Sequence, residues 1–163
     1  IEVDGDFGLA YQRLGVLHHM NKEEATAETM YRQAVRLLPY SPLAYNELAF
    51  MLAERETNLP EALSLAQKAV ELSPKNGSFS DTLGWVYFKS RDYSAAIATL
   101  LGALQAPIDP SQIPVVRYHL GHAYAKAGAL EKALTEFQTV LRVAPDYSRA
   151  AEIRGLIKEL QSR

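Results

Sequence analysis

A helical pattern is clearest between Leu120 and Pro145, where the sequence reads LGHAYAKAGALEKALTEFQTVLRVAP. Each half of this stretch places apolar residues three, four and seven positions apart, which is the spacing that gives a helix one apolar face. Gly121 in the first half and Ala133 in the second are small enough to let two helices approach closely. Pro145 ends the second half, because proline cannot continue a helix. The stretch therefore predicts two helices packed as a hairpin.

The same pattern occurs four times along the chain, and its first half returns once more near the C-terminus. A small residue marks the middle of each first half, at Gly15, Ala49, Gly84, Gly121 and Gly155, so the copies are 34, 35, 37 and 34 residues apart. A hairpin of this size cannot bury its own apolar face, so neighbouring hairpins must stack. The sequence therefore predicts an all-α fold, a right-handed α-solenoid of helix-turn-helix units.

This pattern resembles the tetratricopeptide repeat (TPR) family. In the first copy the resemblance is carried by Leu14, Gly15, Ala27, Tyr31, Ala34 and Pro39. The resemblance implies a single TPR domain over residues 1–163. Its expected parts are the tail of an upstream repeat at 1–7, four repeats at 8–41, 42–76, 77–113 and 114–147, and a capping helix at 148–163.

The two ends of the chain support different expectations. Residues 1–7 are similar to the junction at 141–147, where a second helix ends and the next helix follows, so we expect the chain to be a piece of a longer array. Residues 148–161 are amphipathic, which is typical of a helix that closes such a stack. Residues 58–88 resemble the TPR arrays of bacterial proteins, some of them envelope lipoproteins. The cytoplasm and the bacterial periplasm or envelope are both open as locations.

Composition and charge argue against several classes of protein. The 163 residues carry 17 basic and 19 acidic side chains, a formal charge of −2, whereas a nucleic-acid-binding protein needs a basic surface. The absence of cysteine excludes disulfides and thiolate metal sites. No stretch reaches the ~20 apolar residues that a membrane helix needs, so we expect no membrane insertion. Motifs for phosphate loops, zinc proteases and nucleophilic serines are missing, and we predict no enzyme activity and no cofactor.

The family resemblance implies that the first helices of the repeats line a concave groove. The side chains expected to bind a partner there are Gln12, Val16, Asn46, Phe50, Asp81, Trp85, Phe88, Tyr118, His119 and His122. Aromatic side chains are frequent binding hot spots, and the carboxamide of Asn46 could bind the backbone of an extended peptide. Trp85 and Phe88 have an alternative interpretation, in which they pack between helices as core residues.

Two more specific sites are not expected. Chaperone-binding TPR domains hold a C-terminal carboxylate with Lys, Asn and Arg side chains, and the matching positions here are Gln12, Val16, Asn46, Ser78 and Thr82. Only Asn46 fits that set. His119 and His122 could meet on one helical face, but no further ligand completes a metal site, so we interpret them as polar lining of the groove.

Three functions follow from this pattern. The first is a non-catalytic scaffold that binds a peptide or helix of a protein partner in its concave groove. The second is a module that self-assembles through the exposed apolar face of its N-terminal repeat. The third is a recognition module of a larger protein, such as an enzyme.

Overall fold

The computed structural model describes residues 2–162, with side chains described for residues 6–162. Every regular element in this range is a helix, which confirms the all-α prediction. The elements are α1 (Glu2–Met20), α2 (Glu24–Leu37), α3 (Pro42–Glu54), α4 (Leu59–Leu72), α5 (Gly77–Lys89), α6 (Tyr93–Gln105), the 3₁₀ turn η1 (Pro110–Gln112), α7 (Ile113–Lys126), α8 (Leu130–Val143) and α9 (Ala150–Gln161).

The contacts between these helices divide the chain into two compact units, Ile1–Pro74 and Lys75–Arg163. In the first unit α1 packs on α2 and α3 packs on α4, with further contacts between α2 and α3. In the second unit α5 packs on α6 and α7 on α8, while α7 also contacts α5 and α6. The segment expected to cap the chain contains α9, which packs on α8 and buries Ile153 and Leu160.

Small residues explain how closely the paired helices cross. A Cβ atom placed on Gly15 would lie 2.5 Å from the ring of Tyr31, and one on Gly121 would lie 2.6 Å from the ring of Phe137. Between α5 and α6, a Cβ on Gly84 would lie 2.6 Å from Leu100. Real side chains do not approach so closely, so each glycine leaves the space that its partner side chain fills.

The first helix of every hairpin ends in the same kind of turn. One residue takes a left-handed conformation, and the next residue donates its N–H to the carbonyl five positions back at 2.9–3.0 Å. This pattern is the Schellman motif, which satisfies the carbonyls at a helix C-terminus. The left-handed residues and their φ angles are Lys22 (62°), Glu56 (52°), Arg91 (65°) and Gly128 (82°).

Polar side chains begin three of the helices. The Asn76 carboxamide oxygen accepts hydrogen bonds from the N–H groups of Ser78 and Phe79, and the Asp92 carboxylate accepts one from Ala95. Ser41 accepts from the N–H of Ala44 at 3.4 Å. These caps satisfy N–H groups that have no partner within the helix.

The structure differs from the sequence prediction at the N-terminus. We expected the tail of an upstream helix and a turn within residues 1–7, but α1 runs from Glu2 to Met20 without a break. No proline interrupts this segment, and a glycine inside a helix costs only about 1 kcal/mol. Gly8 also packs closely on Leu38, because a Cβ atom placed on Gly8 would lie 2.6 Å from that side chain. This contact holds α1 against the C-terminal end of α2 at a position that the repeat pattern does not include. Ile1 lies outside the described residues.

Replacing single glycines by alanine should distinguish close helix packing from the need for a left-handed backbone conformation. Gly121→Ala places a Cβ against Phe137 and should lower the free energy of unfolding by roughly 1–3 kcal/mol. Gly128→Ala meets no atom within 4 Å, but its φ of 82° strains an alanine, so we expect a loss of about 1 kcal/mol.

Gly102→Ala and Gly155→Ala are the matched controls, because both residues lie in helices with no atom within 4 Å of a new Cβ. These variants should gain up to about 1 kcal/mol from higher helix propensity. Urea unfolding of all four variants measures the differences. Equal stability of Gly121→Ala and Gly155→Ala would contradict the assigned helix crossing.

Candidate functional site

Three rings form a stack between α5 and α7 of the second unit. Trp85 lies between Phe88, with ring centroids 4.7 Å apart and planes 10° from parallel, and His119, at 4.1 Å and 19°. Trp85 and His119 are each 5% exposed, whereas Phe88 is only partly buried. The sequence left open whether Trp85 faces the groove or packs between helices as a core residue. Its burial supports packing between helices.

Polar contacts extend this stack on both sides. The carboxylate of Asp81 on α5 lies 2.9 Å from His119 Nδ1, and both side chains are buried. The hydroxyl of Tyr118 donates a hydrogen bond of 2.7 Å to Glu152 on α9. The Arg149 guanidinium lies 5.2 Å from the centre of the Tyr118 ring. Burial and the Glu152 carboxylate raise the pKa of Tyr118 above its usual value, so it stays a hydroxyl donor.

His122 lies at the edge of this ring cluster. Its ring meets Tyr118 edge-on at 4.5 Å and Phe137 edge-on at 5.4 Å. Burial lowers the pKa of His122 to about 4, and the nearby positive charge of Arg149 acts in the same direction against the opposing effect of Glu152. His122 is therefore neutral at pH 7.

A small cavity opens beside His122. It has a volume of about 120 Å³. Its lining is mainly apolar, with one basic and one acidic side chain: Ala125, Lys126, Phe137, Leu156, Glu159 and Leu160. A cavity of this size accommodates an apolar side chain and is smaller than the sites that usually hold cofactors.

The first unit holds the other four candidate residues. Val16 is 39% exposed, and Phe50 is half-buried. Asn46 is buried at 9% exposure, and its carboxamide oxygen has no hydrogen-bond partner within the described residues. The carboxamide oxygen of Gln12 is likewise buried without a partner. The structure therefore groups the ten candidates as four residues in the first unit and six in the second.

The sequence pattern did not single out Glu47 as a binding residue. Glu47 is half-buried on α3, and Asn46, His19 and Tyr31 are the groups that influence its carboxyl. Burial raises the pKa of this carboxyl above its usual value, although Asn46, His19 and Tyr31 oppose the change. The family register places position 47 on the concave face together with Asn46, but that signal does not predict burial.

The described side chains contain no group of three or more His, Asp and Glu residues placed to hold a metal ion. His119 and His122, which could have formed part of such a group, instead pack against Trp85 and Phe137. Among the described residues, no helix combines the length and apolar character needed to cross a membrane.

The family model for the tetratricopeptide repeat matches residues 48–113, 81–142 and 118–163, which together include most of the chain. The chain belongs to the tetratricopeptide repeat family. TPR proteins are generally protein-interaction scaffolds.

Similar curated proteins come from eukaryotes and bacteria. The chain is 30% identical over 141 residues to the general transcriptional corepressor ssn6 of Schizosaccharomyces pombe, covering 86% of this chain and 13% of that protein. It is 31% identical over 116 residues to a TPR repeat-containing protein of Pseudomonas aeruginosa, covering 71% and 19%. It is 25% identical over 157 residues to anaphase-promoting complex subunit 3 of Schizosaccharomyces pombe, covering 96% and 23%. The TPR chain therefore spans less than a quarter of the length of each of these relatives.

Solved TPR structures share the solenoid fold. The chain matches the Pseudomonas aeruginosa pilF structure with a TM-score of 0.76 and 21% identity, covering 98% of this chain and 71% of that one. It matches a structure of the APC/C hetero-tetramer Cut9-Hcn1 with a TM-score of 0.80 and 22% identity, covering 94% and 29%. At this identity the likeness concerns the fold alone.

The lowered pKa of His122 predicts that the stability of the fold depends on pH. The unfolded chain, with a histidine pKa near 6.5, binds this proton more tightly than the folded chain, so the folded TPR unit loses stability as pH falls from about 6.5 towards 4. The loss is at most about 3 kcal/mol. His122→Phe keeps an aromatic ring against Tyr118 and Phe137 but removes the titration.

Urea unfolding of both proteins across this pH range tests the assignment. The difference in unfolding free energy between wild type and His122→Phe should shift in favour of the variant as pH falls. A constant difference would show that His122 titrates normally and is not buried as described.

Proposed function

We propose that this chain is a non-catalytic interaction module that binds a peptide or helix of a protein partner on the faces of its first helices. One observation carries the proposal. In both units the candidate positions on first helices keep side chains that are partly exposed, namely Val16 and Phe50 in the first unit and Phe88 and His122 in the second. Family membership supports the same conclusion, since TPR proteins are generally scaffolds.

The buried residues in each unit have a supporting role in this proposal. Trp85, Tyr118 and His119 hold Phe88 and His122 in place through ring contacts of 4.1–5.9 Å. Ordered side chains lose less conformational entropy on binding, which favours affinity. The cavity beside His122 would take one apolar side chain of the partner. Micromolar affinity, about −8 kcal/mol, is typical of such peptide complexes.

Peptides selected from a random display library test this function. Binding of a selected peptide, measured by fluorescence anisotropy, should weaken about tenfold in Val16→Glu, because a carboxylate replaces apolar contact area on α1. The matched control is Val143→Glu, which makes the same change at a 53% exposed valine on the second helix α8. That control should bind like wild type.

Two results would contradict the proposal. Equal loss of binding in both valine variants would remove the preference for the first helices. Failure of the library to yield any peptide that binds above background would argue against peptide recognition itself. Circular dichroism checks the fold of each variant, and the binding assay uses a protein concentration at which light scattering shows wild type and both variants to be monomeric.

We also propose self-association as a second function, because α1 exposes an unusually apolar surface. Large exposed apolar surfaces often mark sites of interaction with another protein. The large apolar side chains of α1 that are at least 39% exposed are Phe7, Leu9, Leu14, Val16, Leu17 and Met20. A second copy that covered this face would remove it from water.

Light scattering over a wide concentration series tests the second function. Wild type should gain mass with concentration, and Leu17→Glu should remain monomeric because it places a charge on the exposed α1 face. Leu101→Glu is the control, since Leu101 is 39% exposed on α6. A wild-type protein that stays monomeric at every concentration would rule out this function.

The activity of any longer protein that contains this chain is a separate proposal. The chain spans 13%, 19% and 23% of the curated relatives described above. These proportions support a role as the recognition module of a larger protein, such as an enzyme, and the sequence of the full-length gene would test it directly.

A further inference from the structure

Asn76 is the one asparagine of the sequence that is followed by glycine. Asparagine is a thermolabile residue. It loses its side-chain amide when the nitrogen of the next residue attacks the side-chain carbonyl carbon, and glycine hinders that attack least because it has no Cβ. Asn76 is the cap of α5, and Gly77 is the first residue of that helix. The start of α5 therefore holds both reacting groups in one dipeptide.

The fold has a separate use for each member of this pair. The Asn76 carboxamide oxygen accepts hydrogen bonds from the N–H groups of Ser78 and Phe79 at 2.9 and 3.3 Å, which cap α5. Gly77 is buried, and a Cβ atom placed on it would lie 2.7 Å from the carbonyl oxygen of Ala103 on α6. Close packing of α5 on α6 thus requires a glycine directly after the capping asparagine.

The folded backbone keeps the two reacting groups apart. The five-membered ring closes only when the Asn76 side chain and the Gly77 nitrogen lie on the same side of the Asn76 Cα–C bond. The ψ angle of Asn76 is 110°, at which the Cα hydrogen lies beside that nitrogen instead of the side chain. The Gly77 N–H also donates a hydrogen bond of 3.0 Å to the carbonyl of Pro107, which retains its proton. Reaction therefore requires this junction to open.

We propose that Asn76 is a site of spontaneous deamidation, which the folded junction suppresses and local opening permits. In the open junction the Gly77 nitrogen loses its proton to a hydroxide ion and forms a bond to Asn76 Cγ. The Cγ–Nδ2 bond breaks, and ammonia leaves after taking a proton from water. A water molecule then opens the cyclic imide. Its attack at Cγ gives aspartate, and its attack at the backbone carbonyl carbon gives isoaspartate.

The two products differ in their effect on α5. Aspartate caps a helix as well as asparagine does, and its negative charge suits a helix N-terminus. Isoaspartate carries the main chain through its Cβ and Cγ atoms, which lengthens the backbone by one atom. Because Gly77 is packed against Ala103 without spare room, the longer chain cannot keep both the cap and this contact. Isoaspartate at position 76 would therefore loosen α5, which carries Trp85 of the ring cluster.

Peptide mapping by mass spectrometry of the full chain, aged in mildly alkaline buffer, tests the proposal. Deamidation of Asn76 should be at least about tenfold faster in denaturing urea than in native buffer, because opening limits the reaction in the folded state. Asn21, Asn46 and Asn58 precede larger residues and are internal references, which should react more slowly than Asn76 in urea. Equal rates with and without urea, or an Asn76 rate in urea no higher than the references, would overturn the proposal.

Asp109→Ala tests whether the opening is local. The Asp109 carboxylate accepts a hydrogen bond of 2.8 Å from the N–H of Ser111 in the turn that follows Pro107. Loss of this cap should loosen the turn and speed native deamidation of Asn76 about fivefold. The matched control is Asp92→Ala, which removes the 3.0 Å cap of α6 and should leave the rate near that of wild type. A wild-type rate in Asp109→Ala, or equal acceleration in both variants, would overturn local opening.

Asn76→Ser provides the control for the effect on stability, because serine also caps helices but cannot deamidate. Aged Asn76→Ser should unfold at the same urea concentration as the fresh variant. Aged wild-type protein should contain an isoaspartate fraction, separable by chromatography, that unfolds at a lower urea concentration than the fresh protein. An isoaspartate fraction as stable as fresh protein would contradict the tight junction described for Asn76 and Gly77.

Discussion

Paired helices in this chain cross where one of them has no bulky side chain, and most other features depend on that close approach. Tyr31, Leu100 and Phe137 fill the space beside Gly15, Gly84 and Gly121. Because these large side chains turn inward between paired helices, the three hairpins that contain them have dense interiors and defined crossings. The remaining faces of the first helices are then available for contacts with neighbouring helices or with a partner.

In the second unit this arrangement produces an ordered ring cluster. Leu100 fixes α5 against α6, and Phe137 fixes α7 against α8, so Trp85 and His119 meet at 4.1 Å. The same Phe137 ring supports His122 from the other side. Packing residues and candidate binding residues are therefore in direct contact, and a change in one alters the position of the other.

The sequence predicted the repeat and the helix crossings well because both depend on local patterns. Small residues recur at a constant interval, and apolar residues follow the helical period. It did not predict the environment of Glu47, because Tyr31 and His19 approach it from other helices, α2 and α1. Nor did it resolve the packing of Trp85, whose burial depends on contact with α7.

The turns show the same limit on a smaller scale. Gly128 is the residue expected at a left-handed position, whereas Lys22 and Arg91 adopt the same conformation without a sequence signal. Hydrogen bonds from the following residues hold these two turns. At the N-terminus the similarity to residues 141–147 predicted a turn, but contact between Gly8 and Leu38 accompanies a continuous helix.

Backbone NMR tests most directly whether a partner is recognised on the first helices. A selected peptide titrated into ¹⁵N-labelled protein should shift amide resonances of α1, α3, α5 and α7. Shifts concentrated on the outer faces of α2, α4, α6 and α8 would contradict the account.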